Sequence, residues 1–263
     1  MNSDIMIMIP VFFQIAVIVA LLFLSVRMIW QSNRSLVTVF LVFVLSLWLF
    51  TDLYWVIYDF MRPDTRMPFA VNEIGEAAIF LLLSALLGSA VYIQPTFARK
   101  QIAGTTLFSI CNAALWIAWS GEWLQDIMIG ATFAYFLCMI VCALKCQQSL
   151  TKYEWIGLGI VCLLLVLAQA GTFFVSLMIK TVLDTGCYIL MMGICIYWIY
   201  KLVAAWKDKA DRKTVLCLVF ALLGSVITSK YMSEGAFYNI FLIEETIAVV
   251  LIYLVVRRVV VEE

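Results

Sequence analysis

Long apolar runs alternate with short polar breaks along the whole chain, almost without interruption. A bilayer-spanning helix needs about 20 mainly apolar residues. Nine runs meet that length, at about residues 5–27, 36–58, 70–92, 102–120, 125–144, 154–175, 181–203, 214–232 and 236–256. The breaks carry turn chemistry: Gln31-Ser-Asn-Arg34, Met61 to Pro68, Pro95 before Arg99-Lys100, Ser120-Gly121-Glu122 and Ser233-Glu234-Gly235. The stretch from Tyr153 to Leu202 has to be split, because one helix of that extent would be roughly 75 Å long. Strands of a membrane barrel would read as short alternating segments, and these runs are too long and too uniformly apolar for that. The fold class predicted is an all-α, polytopic membrane helix bundle of about nine transmembrane helices.

Composition agrees with the pattern. The chain is 65% hydrophobic and 13% charged, with a mean hydropathy of +1.07, which leaves too little polar surface to cover a water-soluble globule of 263 residues. We read residues 1–263 as a single transmembrane domain with no soluble domain. The first run, Ile5 to Val26, is too long for a signal-peptide core and lacks a basic region before it, so it reads as a retained helix.

Net charge is zero and gives no reason to expect a nucleic-acid partner; the distribution of the charges is informative instead. Alternating the loops across nine spans puts Arg27, Arg34, Arg99, Lys100, Lys145, Lys152, Lys201, Lys207, Lys209, Arg212, Lys213, Arg257 and Arg258 on one side. Only Arg62, Arg66, Lys180 and Lys230 fall on the other. By the positive-inside rule the first side is cytoplasmic, which places the N-terminus outside and the C-terminus in the cytoplasm of a plasma (inner) membrane protein. The lipid bilayer is the first partner implied. A signal passed inward would need a separate protein at the cytoplasmic face, because the inner loops are short.

The chain has no histidine, and its eight cysteines form no C-x-x-C pair, which removes the usual zinc and haem ligand sets; no cofactor or metal is expected. Cys138, Cys142 and Cys146 share a helix face, where small apolar side chains let helices approach. The ninth run lacks the mid-membrane lysine of a retinal protein. The Glu244-Glu245 pair lacks the neighbouring arginine of glutamate-dependent intramembrane proteases, Val249 standing in its place, and there is no G-x-S-x-G or Walker motif. These absences point away from an enzyme.

What remains is a set of acids inside apolar runs. A charged side chain at bilayer depth costs roughly 2.5–3.5 kcal/mol on insertion scales. With the topology above, Asp52 lies about 9–12 Å inside the second helix, Glu73 and Glu76 about 5–10 Å inside the third, and Glu244 and Glu245 about 12 Å inside the ninth, all in the outer half of the membrane. Asp184 lies near the outer start of the seventh. Glu73 and Glu76 share a face, and Asp52 stacks with Trp55 and Asp59; Glu244 and Glu245 point about 100° apart. Tyr54, Trp55 and Tyr58 beside Asp52 are the aromatic faces that hold amines.

Two readings compete. In one, helices two, three, seven and nine enclose an outward-facing, acid-lined cavity for a cation, with Asp52, Glu73, Glu76, Asp184, Glu244, Glu245, Tyr54 and Trp55 as its wall. In the other, each acid is structural and paired locally, Asp184 with Lys180, and Glu73, Glu76 and Asp59 with Arg62 or Arg66. The functional expectation is a small secondary transporter or permease for a cationic or proton-coupled solute. The alternative is a sensory, receptor-like membrane module, favoured by the nearly all-apolar inner halves of helices two, three and nine.

Overall fold

The structure, a computed structural model, describes residues 2–31, 35–61, 71–91, 98–120 and 123–261. Those residues form nine helices and no strand: α1 (Asn2–Gln31), α2 (Leu36–Met61), α3 (Val71–Val91), α4 (Arg99–Ser120), α5 (Trp123–Cys146), α6 (Lys152–Thr172), α7 (Leu177–Lys207), α8 (Arg212–Tyr231) and α9 (Gly235–Val261). All nine are long and apolar enough to cross a membrane, so the protein is a multi-pass, all-helical membrane protein. Four of the expected breaks, with the loop arginines Arg62 and Arg66, lie wholly or mainly outside the described residues.

The split of the long run is observed at residues 173–176. Phe173 caps α6 and Ser176, in extended conformation, begins α7. At its other end α6 starts on a capping box: the Thr151 hydroxyl accepts from the Glu154 N–H at 3.3 Å and the Glu154 carboxylate accepts from the Thr151 N–H at 2.7 Å. Gly235 opens α9 with φ +59°, a left-handed conformation that any side chain would strain.

The bundle is organised around α8. That helix packs on α3, α5, α7 and α9, while α1 packs on α2 and α9, α2 on α3, α4 on α5 and α6, and α6 on α7. Of the apolar window of α8, 78% is buried, against 6% for α6. In a bilayer apolar surface can face lipid, so polar side chains are what a bundle has to enclose; α8 carries Ser225, Thr228, Ser229 and Lys230, and Val215 to Leu223 on the same helix are all buried. On α6 the apolar side chains Ile156, Ile160, Leu163, Leu164 and Leu167 are exposed instead, a perimeter suited to lipid.

Basic side chains gather at the end where α5, α7 and α9 finish and α6 and α8 begin. Lys201 pairs with Glu154 at 3.0 Å, the Arg212 guanidinium donates to the Arg258 carbonyl at 2.6 Å, and Arg258 lies over the Trp206 ring at 4.1 Å. Lys145 lies over Trp155 at 5.8 Å. The opposite end carries the polar chemistry described next.

Candidate functional site

One turn below the α8–α9 connection, α1, α2, α3, α8 and α9 converge on a buried ionic cluster. Lys230 of α8 donates to both carboxylate oxygens of Glu245 of α9, at 2.8 and 2.9 Å, and the Gln14 amide of α1 donates to the same carboxylate at 3.2 Å. Glu245 and Gln14 are each 1% exposed. Beside them the Tyr231 hydroxyl donates to the Glu76 carboxylate of α3. Asp52 of α2 stands within electrostatic reach of Lys230, Glu245 and Glu76, and its Oδ2 is buried without a hydrogen-bond partner.

Backbone geometry makes these meetings possible. Lys230 is one residue from the end of α8 and Glu245 ten residues from the start of α9, roughly 10–15 Å of offset along the axes if the ends are level. Side chains on a helix lean toward its N-terminus, so the lysine leans down into the bundle and the glutamate leans up to meet it. Between α2 and α3 the approach is closer still. A Cβ on Gly75 would overlap the Thr51 methyl, so glycine is what lets Asp52 and Glu76, each one residue further along, face the same space.

That space is a cavity of about 30 Å³ lined by Trp48, Thr51, Asp52, Glu76, Ile79, Phe80, Ile227, Lys230, Tyr231 and Glu245. It holds one or two waters at most. Among the described residues three carboxyl groups therefore face one ammonium group across a space the size of one or two waters, an arrangement suited to proton exchange.

The other sequence-predicted residues are placed differently. Glu244 points away from Glu245, toward α7, where it meets Cys195; its Oε2 is buried without a partner. Glu73 is buried on α3 and engaged in a polar interaction, but it does not line the cavity. Tyr54 and Trp55 are half-buried on α2 outside it, with Tyr54 tilted against Tyr58 at 6.2 Å. Asp184 is also elsewhere, so helix seven does not join helices two, three and nine at this cavity.

Sequence reasoning missed three members of the cluster. Gln14 had a visible signal, a polar side chain in the middle of the first apolar run. Lys230 had one too, since it lies within an apolar run and three residues before the Ser233-Glu234-Gly235 break. Tyr231 had none, because only the fold brings its hydroxyl to Glu76.

Asp184 lines a second cavity of about 120 Å³, between the ends of α4, α6, α7 and α8, with Leu115, Trp116, Gln169, Thr172, Phe173, Lys180, Tyr188, Tyr231, Met232, Ser233 and Glu234. Lys180 and Asp184 both face it but are not joined by an ion pair among the described contacts. Tyr231 belongs to both cavities: its ring packs on Trp116, with centroids 5.4 Å apart, while its hydroxyl holds Glu76.

Comparisons with protein-family models, with curated proteins and with solved structures find no match.

Proposed function

We propose that this protein is a small proton-linked secondary transporter, and that the buried cluster of Asp52, Glu76, Lys230, Tyr231 and Glu245 is its proton-binding site. The observation that supports this is the excess, among the described residues, of carboxyl groups over cations around a water-sized cavity inside membrane-spanning helices. Intramembrane ionisable groups that outnumber their counter-ions mark proton and ion paths. Glu245 has Lys230 and Gln14, whereas Asp52 is left with an unpartnered oxygen at a water-sized space, so Asp52 and Glu76 are the groups that exchange the proton. The gathering of basic side chains at the opposite end supports an orientation in which the cluster lies toward the outer face.

The test is a solute-driven proton flux. Protein in liposomes with an internal pH dye is given an inward proton gradient and a panel of sodium, potassium, choline, ethylamine, glycine and alanine. At least one solute is expected to accelerate acidification, and Asp52→Asn and Glu76→Gln to abolish the effect. A panel with no active member, or variants that behave as wild type, rejects the reading.

A second reading, ligand sensing, has one observation in its favour. Beyond the cluster α8 is a closed apolar column, Val215 to Leu223, with no polar path toward the basic end. Sensing predicts that a panel member raises the melting temperature of the protein without moving protons, by the mass action that any ligand of the folded state exerts.

A further inference from the structure

The second cavity is the larger of the two, and its lining has a chemistry of its own. Lys180 and Asp184 are four residues apart on one face of α7 and carry opposite charges that do not satisfy each other. Across from them Trp116 has its indole N–H buried without an acceptor. Gln169 and Thr172 supply further polar atoms, and Leu115, Phe173 and Met232 an apolar wall. Lys180 and Glu234 are both exposed, and Asp184 is half-buried, so Asp184 is the least hydrated charge of the lining.

A ligand with a single charge would satisfy one of the two α7 side chains and be repelled by the other. A ligand that carries both signs on adjacent atoms satisfies both. The cavity, about 120 Å³ and open on one side, has room for a ligand of a few heavy atoms.

We propose that this cavity binds a small zwitterion, an α-amino acid of about the size of glycine or alanine, with Asp184 receiving the ammonium group and Lys180 the carboxylate. The site rests on the transporter reading for its purpose but not for its existence. Tyr231 is the wall it shares with the ionic cluster, so a ligand pressed against the Trp116–Tyr231 ring pair acts on the tyrosine whose hydroxyl holds Glu76.

The experiment is calorimetric titration of the full chain in lipid nanodiscs with alanine and glycine, and with ethylamine and propionate as half-ligands. One of the amino acids is expected to bind at least tenfold more tightly than either half-ligand. Lys180→Met and Asp184→Asn are each expected to weaken that binding tenfold or more, with the helical circular dichroism unchanged; both positions are at or near the surface, so folding is not at risk. Half-ligands that bind as tightly as the amino acids, variants that bind like wild type, or no binding of either amino acid would each overturn the proposal. Selective zwitterion binding without proton flux keeps this site and removes the transporter reading; flux driven by another solute, without zwitterion binding, does the reverse.

Discussion

Two lysine–glutamate pairs of nearly equal length hold opposite ends of the bundle. Lys201 and Glu154 meet at 3.0 Å with side chains 21% and 25% exposed, while Lys230 and Glu245 meet at 2.8 Å with side chains 13% and 1% exposed. The first pair sits where two helices reach the basic end, and Glu154 has a second task in closing the capping box of α6. The second sits within the apolar spans. Distance does not distinguish them; surroundings do. An ion pair in contact with water gains little, since solvent screens the attraction and hydrates each partner when it is lost. In the interior, loss of one partner strands the other without hydration.

The largest effect expected from breaking this symmetry is at Lys230. Lys230→Met leaves Glu245 buried without its cation and is expected to cost about 3–5 kcal/mol, read as a lowered unfolding free energy in detergent titration. Adding Glu245→Leu should restore most of that loss while leaving proton flux absent, because the pair can be replaced by apolar packing but its chemistry cannot. Failure of the double variant to recover would mean that the cluster is more tightly knit than the pair.

Next is Tyr231→Phe, which removes the donor to Glu76 but keeps the ring against Trp116. About 1–3 kcal/mol of destabilisation is expected from the stranded carboxyl group. Gly75→Ala tests the backbone beneath the same cavity: overlap with the Thr51 methyl should cost about 1–3 kcal/mol, and Thr51→Ser, which deletes that methyl, should relieve it in the double variant. The smallest effect is at the other pair. Lys201→Met is expected to change stability by less than about 1 kcal/mol, and the difference from wild type should shrink further as salt is raised.

Much of the fold was legible because bilayer thickness imposes a length on every run, and length is read directly from sequence. Runs drawn at 36–58 and 214–232 became α2 (Leu36–Met61) and α8 (Arg212–Tyr231). The candidate site was legible only in part. Hydropathy singles out an acid inside a span, so Asp52, Glu76 and Glu245 were visible, but it cannot say which way a side chain points. Adjacent Glu244 and Glu245 fell on different faces, one toward α7 and the other toward α1 and α8. Lys230 was counted with the loop cations because it is close to a helix end; the lean of its side chain along α8, which takes it inward, has no signature in a count of charges. Gly75 was equally silent, since a glycine within an apolar run does not announce which neighbour will press against it.

The position of Lys230 has a consequence for biosynthesis. During synthesis α8 emerges before α9, so its lysine reaches the bilayer before the glutamate that neutralises it; one residue from the helix end it is held at the interface, where a lone charge costs less than the roughly 2.5–3.5 kcal/mol of helix centre. Three residues, Met232, Ser233 and Glu234, separate the two helices, which favours entry of α8 and α9 together as a hairpin. A chain truncated after Glu234 is then expected to insert α8 less completely than one truncated after Ile252, as measured by labelling of Ser233→Cys from the outer face in both; equal insertion would show that the rest of the bundle already receives the lysine.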